Sequence, residues 1–269
     1  MPHAQPGTAL ITGASSGIGA VYAARLAQRG YDLILVARNR DRLDLLARDI
    51  GNETGRTIQT IVADLGDRSA LARVETKLKE DTNINLLVNN AGVGTHKTLL
   101  DSDADAMTKL IELNVMALTR LTYAAGPQFA ARGNGAIINI ASIAAITPEL
   151  LNGVYGGSKA FVLALSQSLH HELADKGVRV QAVLPGATAT EFWEIGGLPL
   201  EHLPKEIVMS ASDMVDAALK GFDLGELVTI PSLHAIAAWD QFETSRGALA
   251  AQLSNNTPAP RYVVGTNAC

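Results

Sequence analysis

The chain has 269 residues, 47% of them hydrophobic and 18% charged, a balance that excludes a disordered or fibrous chain and suffices for a sizeable core. Its 22 Lys and Arg against 27 Asp and Glu leave a net charge of −5, with no basic field to attract a nucleic-acid backbone, so nucleic acid is not an expected partner. The single cysteine, Cys269, excludes an intrachain disulfide and a thiolate metal cluster. Residues 1–7 lack the basic and then apolar regions of a secretory signal, and no apolar run approaches the roughly 18 residues that span a bilayer. The expectation is a cytoplasmic protein with no membrane partner.

In chain order, residues 8–11, 33–37, 58–62, 86–89, 136–140, 178–184 and 227–230 read as seven strands, with helical patterns between and after them. Among the helices are segments 20–29, 107–129 and 161–176, the first and last closed by Gly30 and Gly177 where a left-handed residue ends a helix. Several strands are apolar without interruption, such as Leu33-Ile34-Leu35-Val36, as expected when helices cover both faces of a parallel sheet. The alternation predicts a doubly wound α/β fold around a mostly parallel seven-stranded sheet. No linker, charge block or repeat divides the chain before Pro185, so residues 1–269 read as one domain, with 255–269, including Pro258 and Pro260, as a tail that cannot be helical.

The 24 glycines against five Phe, five Tyr and two Trp direct attention to where the glycines fall. The first strand runs through Thr12-Gly13-Ala14-Ser15-Ser16-Gly17-Ile18-Gly19 straight into a helix. In that context Gly13 permits a tight turn, Gly17 lets backbone N–H groups approach a pyrophosphate, and Gly19 lets helix and strand pack closely. The helix N-terminus then faces the anion. The second strand ends in Ala37-Arg38-Asn39-Arg40 with no carboxylate before Asp41. Arg38 offers a planar fork for a 2′-phosphate where an NAD site usually has an acid, so NADP(H) is preferred over NAD(H). A solvated helix start accounts for Arg40 and is open for Arg42.

Further on, Tyr155-Gly156-Gly157-Ser158-Lys159 places a phenol and an ammonium four residues apart, on one face of a helix. A cation there draws the phenol's pKa down toward working pH, where general acid–base catalysis is efficient.

The glycine spacing of residues 12–19 resembles the TGxxxGxG signature of the short-chain dehydrogenase/reductase family, a Rossmann-like fold. Asn89-Asn90-Ala91-Gly92 resembles its NNAG segment, and Pro185-Gly186-Ala187-Thr188-Ala189-Thr190 its PGxxxT segment. Asn114, Ser142, Tyr155 and Lys159 match the spacing of its catalytic tetrad. The resemblance implies that Tyr155 exchanges a proton with the carbonyl or alcohol oxygen and that Ser142 hydrogen-bonds the same oxygen. It further implies that Lys159 holds the nicotinamide ribose and lowers the Tyr155 pKa, and that Asn114 holds a water that links Lys159 to solvent. Cofactor contacts are implied at Gly13, Ser15, Ser16, Gly17, Ile18, Gly19, Arg38, Asp64, Leu65, Asn90, Ala91, Gly92, Tyr155, Lys159, Pro185, Gly186, Thr188 and Thr190.

Residues 191–211 lie beyond the family pattern and are largely apolar, with Phe192 and Trp193 near their start and Gly196-Gly197 and Pro199 as hinge positions. They read either as a lid over a hydrophobic substrate or as ordinary core or subunit contacts. His170-His171-Glu172 lies on a helix where neighbours point to different faces, so no metal site is expected. The sequence thus points to an NADP(H)-dependent reductase of a hydrophobic ketone, aldehyde or 3-oxoacyl compound. The substrate contacts are Ser142, Tyr155, Phe192 and Trp193. A non-catalytic NADP(H)-binding regulatory protein is the alternative, and the filled tetrad speaks against it. The long helices 107–129 and 161–176 suit a homodimer or homotetramer.

Overall fold

The computed structural model describes residues 6–262, which form two compact units divided after Ser232. The first unit holds β1 (Thr8–Thr12), β2 (Asp32–Ala37), β3 (Ile58–Val62), β4 (Ile84–Asn89), β5 (Gly135–Ile140) and β6 (Val178–Val183). It also holds the short pair β7 (Thr188–Ala189) and β8 (Met209–Ser210), and then β9 (Val228–Thr229). The main sheet has seven strands in the order β3-β2-β1-β4-β5-β6-β9, every neighbouring pair parallel. Each of its strands matches a segment expected from sequence. The β7–β8 pair was not expected, because two residues carry no periodic signal.

Alternation along the strands splits the core between the two faces. Ala9, Ile11, Leu33 and Leu35 pack with Tyr22 and Leu26 of α1 (Gly17–Gln28) and Leu43 of α2 (Arg40–Thr54). Leu10, Ile34 and Val36 point the other way, against Leu71 and Val74 of α3 (Arg68–Glu80) and, once α4 (Ala104–Ile111) has passed, Leu121 and Phe129 of α5 (Leu118–Arg132). This two-sided burial explains the continuous apolar runs. The remaining helices of the unit are α6 (Gly153–Leu173), α7 (Phe192–Ile195) and α8 (Ala211–Leu224).

Three helix expectations need correction. The segment 20–29 begins at Gly17, which brings the last two glycines of the loop into the first turn. The run 107–129 is not one regular helix: it starts at Ala104 after the Asp103 cap, passes through a π-helical stretch, Glu112–Ala117, and ends at Arg132. The run 161–176 starts at Gly153, because the Asn152 side chain accepts from the Val154 N–H at 2.8 Å and so caps the helix. The segment 191–211 is also more ordered than a plain loop, holding α7, single turns at Leu200–His202 and Lys205–Ile207, and β8.

The second unit contains α9 (Ile236–Ala250), on which Trp239 stacks against Phe242 with ring centroids 5.3 Å apart. Within the expected tail, Pro260–Tyr262 forms a 3-10 turn; a proline at the first position of a turn gives up no needed N–H. Residues 1–5 of the region searched for a signal, and residues 263–269 with Cys269, lie outside the described residues. No described helix is long and apolar enough to cross a membrane.

Candidate active site

The order of strands reverses between β1 and β4, and the singled-out residues follow the C-terminal ends of the strands on both sides of that point. In open α/β sheets this is where ligands bind. Gly13 and Gly17 have φ of +64° and +54°, conformations that L side chains rarely adopt. A Cβ on Gly19 would run into the Gly13 carbonyl, so this glycine is required by the packing of loop against helix. The strand ends are tied together around it. Thr12 Oγ1 accepts from the Asn90 and Ala91 N–H groups, both at 3.0 Å, and donates to the Val88 carbonyl at 3.3 Å. Asn90 Nδ2 donates to the Thr12 and Gly13 carbonyls at 2.9 and 3.1 Å. Asn90 and Ala91 therefore hold the glycine loop in shape.

Ser16 is the N-cap of α1, yet its side chain caps nothing, so the first N–H groups of the helix are open to an anion. Arg38 is exposed directly after β2. Asp64 Oδ1 accepts from the Gly66 N–H at 3.0 Å, while the Leu65 side chain is buried in the core and leaves only its backbone for a ligand. Thr190 closes over Gly17, where a Cβ would stand 3.1 Å from Thr190 Cγ2. A Cβ on Gly92 would stand 3.1 Å from Asn114 Oδ1 and 3.5 Å from Lys159 Nζ. A glycine-lined cradle with free helix N–H groups at one end and a buried ammonium at the other fits a dinucleotide phosphate and ribose.

The four tetrad positions converge. Tyr155 and Lys159 stand one turn apart on α6, with Lys159 Nζ 5.8 Å from the Tyr155 ring centroid. Ser142, just past β5, hydrogen-bonds the Tyr155 phenol and accepts from the Ala144 N–H at 3.1 Å. Asn114 sits in the π-helical stretch, a local irregularity common at functional sites. Its Oδ1 accepts from the Val93 N–H at 2.9 Å, and its Nδ2 donates to the Val93 carbonyl at 2.8 Å and to Ser158 Oγ at 3.2 Å. Ser158 Oγ in turn donates to the Tyr155 carbonyl at 2.7 Å. Asn114 thus anchors the loop after β4 to α6.

Burial sets the electrostatics. Tyr155 is 5% exposed, and desolvation pushes its phenol up to about 12, with Ser142 pulling the other way. Lys159 is 6% exposed, donates to the Ile140 carbonyl at 2.8 Å, and is pushed down to about 8 by burial. The expected lowering of Tyr155 by Lys159 therefore gives way to desolvation, which penalises the charged form of both groups. A phenol held protonated suits a proton donor.

The segment after β7 covers this centre. The Phe192 ring is tilted over Tyr155 with centroids 5.8 Å apart, and Trp193 meets Phe192 edge-on at 5.7 Å. Trp193 Nε1 donates to the Thr188 carbonyl at 2.9 Å. Gly94, Leu151 and Leu198 join the two aromatics around a small apolar cavity. Participants not singled out from sequence include Asn152, Ser158, Gly94, Leu151 and Glu191. Asn152 had a signal, an Asn just ahead of a helix. Arg42, open to a solvated reading, is exposed at the start of α2, and its Nη1 lies 2.6 Å from Glu191 Oε2. The pair is 149 residues apart in sequence, so nothing local announces it.

Comparison with known proteins agrees with this architecture. The family described as short chain dehydrogenase matches residues 7–195. A short-chain dehydrogenase from Sphingobium yanoikuyae, solved in complex with NADPH, is 48% identical, with TM-score 0.93 over 96% of this chain and 99% of that one. The bulky-bulky ketone specific alcohol dehydrogenase from Comamonas testosteroni is 46% identical, with TM-score 0.90 over 97% of this chain and 100% of that one. A very-long-chain 3-oxoacyl-CoA reductase from Anas platyrhynchos is 38% identical over 192 residues, 70% of this chain and 61% of that protein's length. With a family match that runs from the first strand past the last tetrad residue, the chain belongs to the short-chain dehydrogenase/reductase family.

Proposed function

We propose that this oxidoreductase is an NADP(H)-dependent reductase of hydrophobic oxo compounds, with Tyr155 as the proton donor. The observation that carries the reading is a buried phenol, held by Ser142, with the Lys159 ammonium beside it and an apolar aromatic cover above. Glycines 13, 17 and 19, Ser15, Ser16 and the start of α1 would hold the cofactor phosphates, and Arg38 the 2′-phosphate. Lys159, Gly92 and the 185–190 segment would hold the nicotinamide end. The bound cofactor supplies hydride to the carbonyl carbon. Tyr155 gives its proton to the carbonyl oxygen, and Ser142 donates a hydrogen bond to that oxygen as charge develops on it. Asn114 keeps the loop after β4 in place and is the site proposed for the water that links Lys159 to solvent. Phe192, Trp193, Leu151 and Leu198 favour an apolar substituent, in keeping with the ketone and 3-oxoacyl substrates in the names of the relatives.

The test follows NADPH oxidation with bulky ketones, aldehydes and 3-oxoacyl thioesters. Tyr155→Phe should lower kcat by about 10²–10⁴-fold while NADPH affinity holds, and an unchanged rate would remove the tyrosine from the mechanism. Arg38→Asp should turn the preference toward NADH; no shift would discredit the 2′-phosphate assignment.

A further inference from the structure

Two consecutive residues reach opposite halves of the site. Glu191 spans the mouth between the C-terminal ends of β1 and β2: its carboxylate pairs with Arg42, on the first turn of α2, at 2.6 Å, and also takes a hydrogen bond from Ser16 in the glycine loop. Phe192 covers Tyr155. The cover is close, because a Cβ on Gly94 would run into the Phe192 ring. Glu191 and α7 are one mechanical piece, since the Glu191 carbonyl accepts from the Ile195 N–H at 3.0 Å and the Phe192 carbonyl from the Gly196 N–H at 2.9 Å. At the far end His96 Nδ1 is 2.8 Å from the Gly196 carbonyl, and Gly197 has φ of +84°.

The partners of Glu191 are those a phosphate uses: a guanidinium fork and a hydroxyl at a helix N-terminus. The ion pair is about half exposed on both sides and so holds weakly. A phosphate monoester carries up to two charges and three acceptor oxygens, and competes for the same donors with advantage.

Resting on the NADP(H) reading above, we propose that Glu191 is a stand-in anion that occupies Ser16 and Arg42 until the cofactor 2′-phosphate takes Arg42, and that its release lifts Phe192 off Tyr155. Arg42 is then a second 2′-phosphate cation beside Arg38, and Glu191 is a positioning residue that opens the substrate side only when the nucleotide side is filled. An oxo substrate would find Tyr155 covered in the free enzyme and uncovered in the binary complex.

The experiment uses the full chain labelled with fluorotryptophan and read by fluorine NMR, with Trp239→Phe assigning the two signals. Adenosine 2′,5′-bisphosphate, which has the 2′-phosphate and no nicotinamide, should shift the Trp193 resonance. Adenosine 5′-monophosphate at equal saturation should leave it in place. In Glu191→Gln the resonance should start at the ligand-bound position and stay there, whereas Glu191→Asp should retain the response. Binding of the bisphosphate by calorimetry with no movement of Trp193, or an equal response in Glu191→Gln, would overturn the latch while leaving the NADP(H) reading intact. An equal shift with the monophosphate would overturn the assignment to the 2′-phosphate. Absence of any binding heat would sink the 2′-phosphate reading and this proposal together.

Discussion

Lys159 carries a pH dependence whose direction follows from its burial. In the folded protein it is pushed down to about 8, below its ordinary value of 10.5, so between those values the unfolded chain binds more protons than the folded one. Stability therefore rises with pH across that window, and the penalty for burying the charged form is fully present below about 8. Activity runs the other way. As pH rises through about 8 the ammonium beside Tyr155 is lost, while the phenol, pushed up to about 12, is still protonated. The reductive kcat/KM should fall through a first alkaline limb belonging to Lys159, as the melting temperature rises over the same range. Lys159→Arg, which keeps its charge at high pH, should abolish that limb. A profile level through the limb in the unsubstituted enzyme would separate Lys159 from catalysis. That Tyr155 and Lys159 share one helix face was legible from their spacing; the cost of burying them was not, because it depends on what α6 packs against.

At the level of elements, the site depends on how firmly β1 is joined to β4. Thr12 is 1% exposed, and its hydroxyl serves the Asn90 and Ala91 N–H groups and the Val88 carbonyl. Thr12→Val keeps the shape and strands the Ala91 N–H, at about 1–3 kcal/mol for a buried group left unpaired, while the Asn90 N–H and the Val88 carbonyl keep each other at 3.1 Å. Urea denaturation should show a midpoint lowered by the equivalent of about 1–3 kcal/mol with the same slope, and a midpoint unchanged from the parent would mean that the clamp is ornamental. The seven sheet strands could be read in advance because burial on both faces writes itself as unbroken apolar runs such as 33–36. The π-helical stretch at Glu112–Ala117 could not, since its composition is that of an ordinary helix and the extra residue is absorbed only when Asn114 bonds Val93 and Ser158. The expectation of a lid met a segment with its own turns, because short turns with Pro199 and Pro204 at their starts leave no periodic pattern.

For the whole molecule, the exposed apolar residues bear on assembly. Ile111, Met116, Tyr123 and Phe161 are 44%, 51%, 64% and 39% exposed along α4, the π-helical stretch, α5 and α6, the helices from which a homodimer or homotetramer was expected. A homodimer or homotetramer built on these helices would cover those side chains. Light scattering after size exclusion should give a mass of two or four chains, and Met116→Lys with Tyr123→Arg should reduce it. A monomer before substitution would refute the assembly.

Sequence alone determined the parts of this protein that are local in the chain. Strand and helix alternation, the glycine spacing at 13, 17 and 19, and the tyrosine and lysine one helical turn apart each depend on neighbours within a few residues. Tertiary structure alone decided which of these groups are buried, and so how far Tyr155 and Lys159 are pushed from their ordinary protonation. It also decided the pairing of Arg42 with Glu191 and the seating of Phe192 over Gly94 and Tyr155. These contacts join segments roughly 40 to 150 residues apart, and only the parallel sheet, by gathering its strand ends on one edge, brings them together.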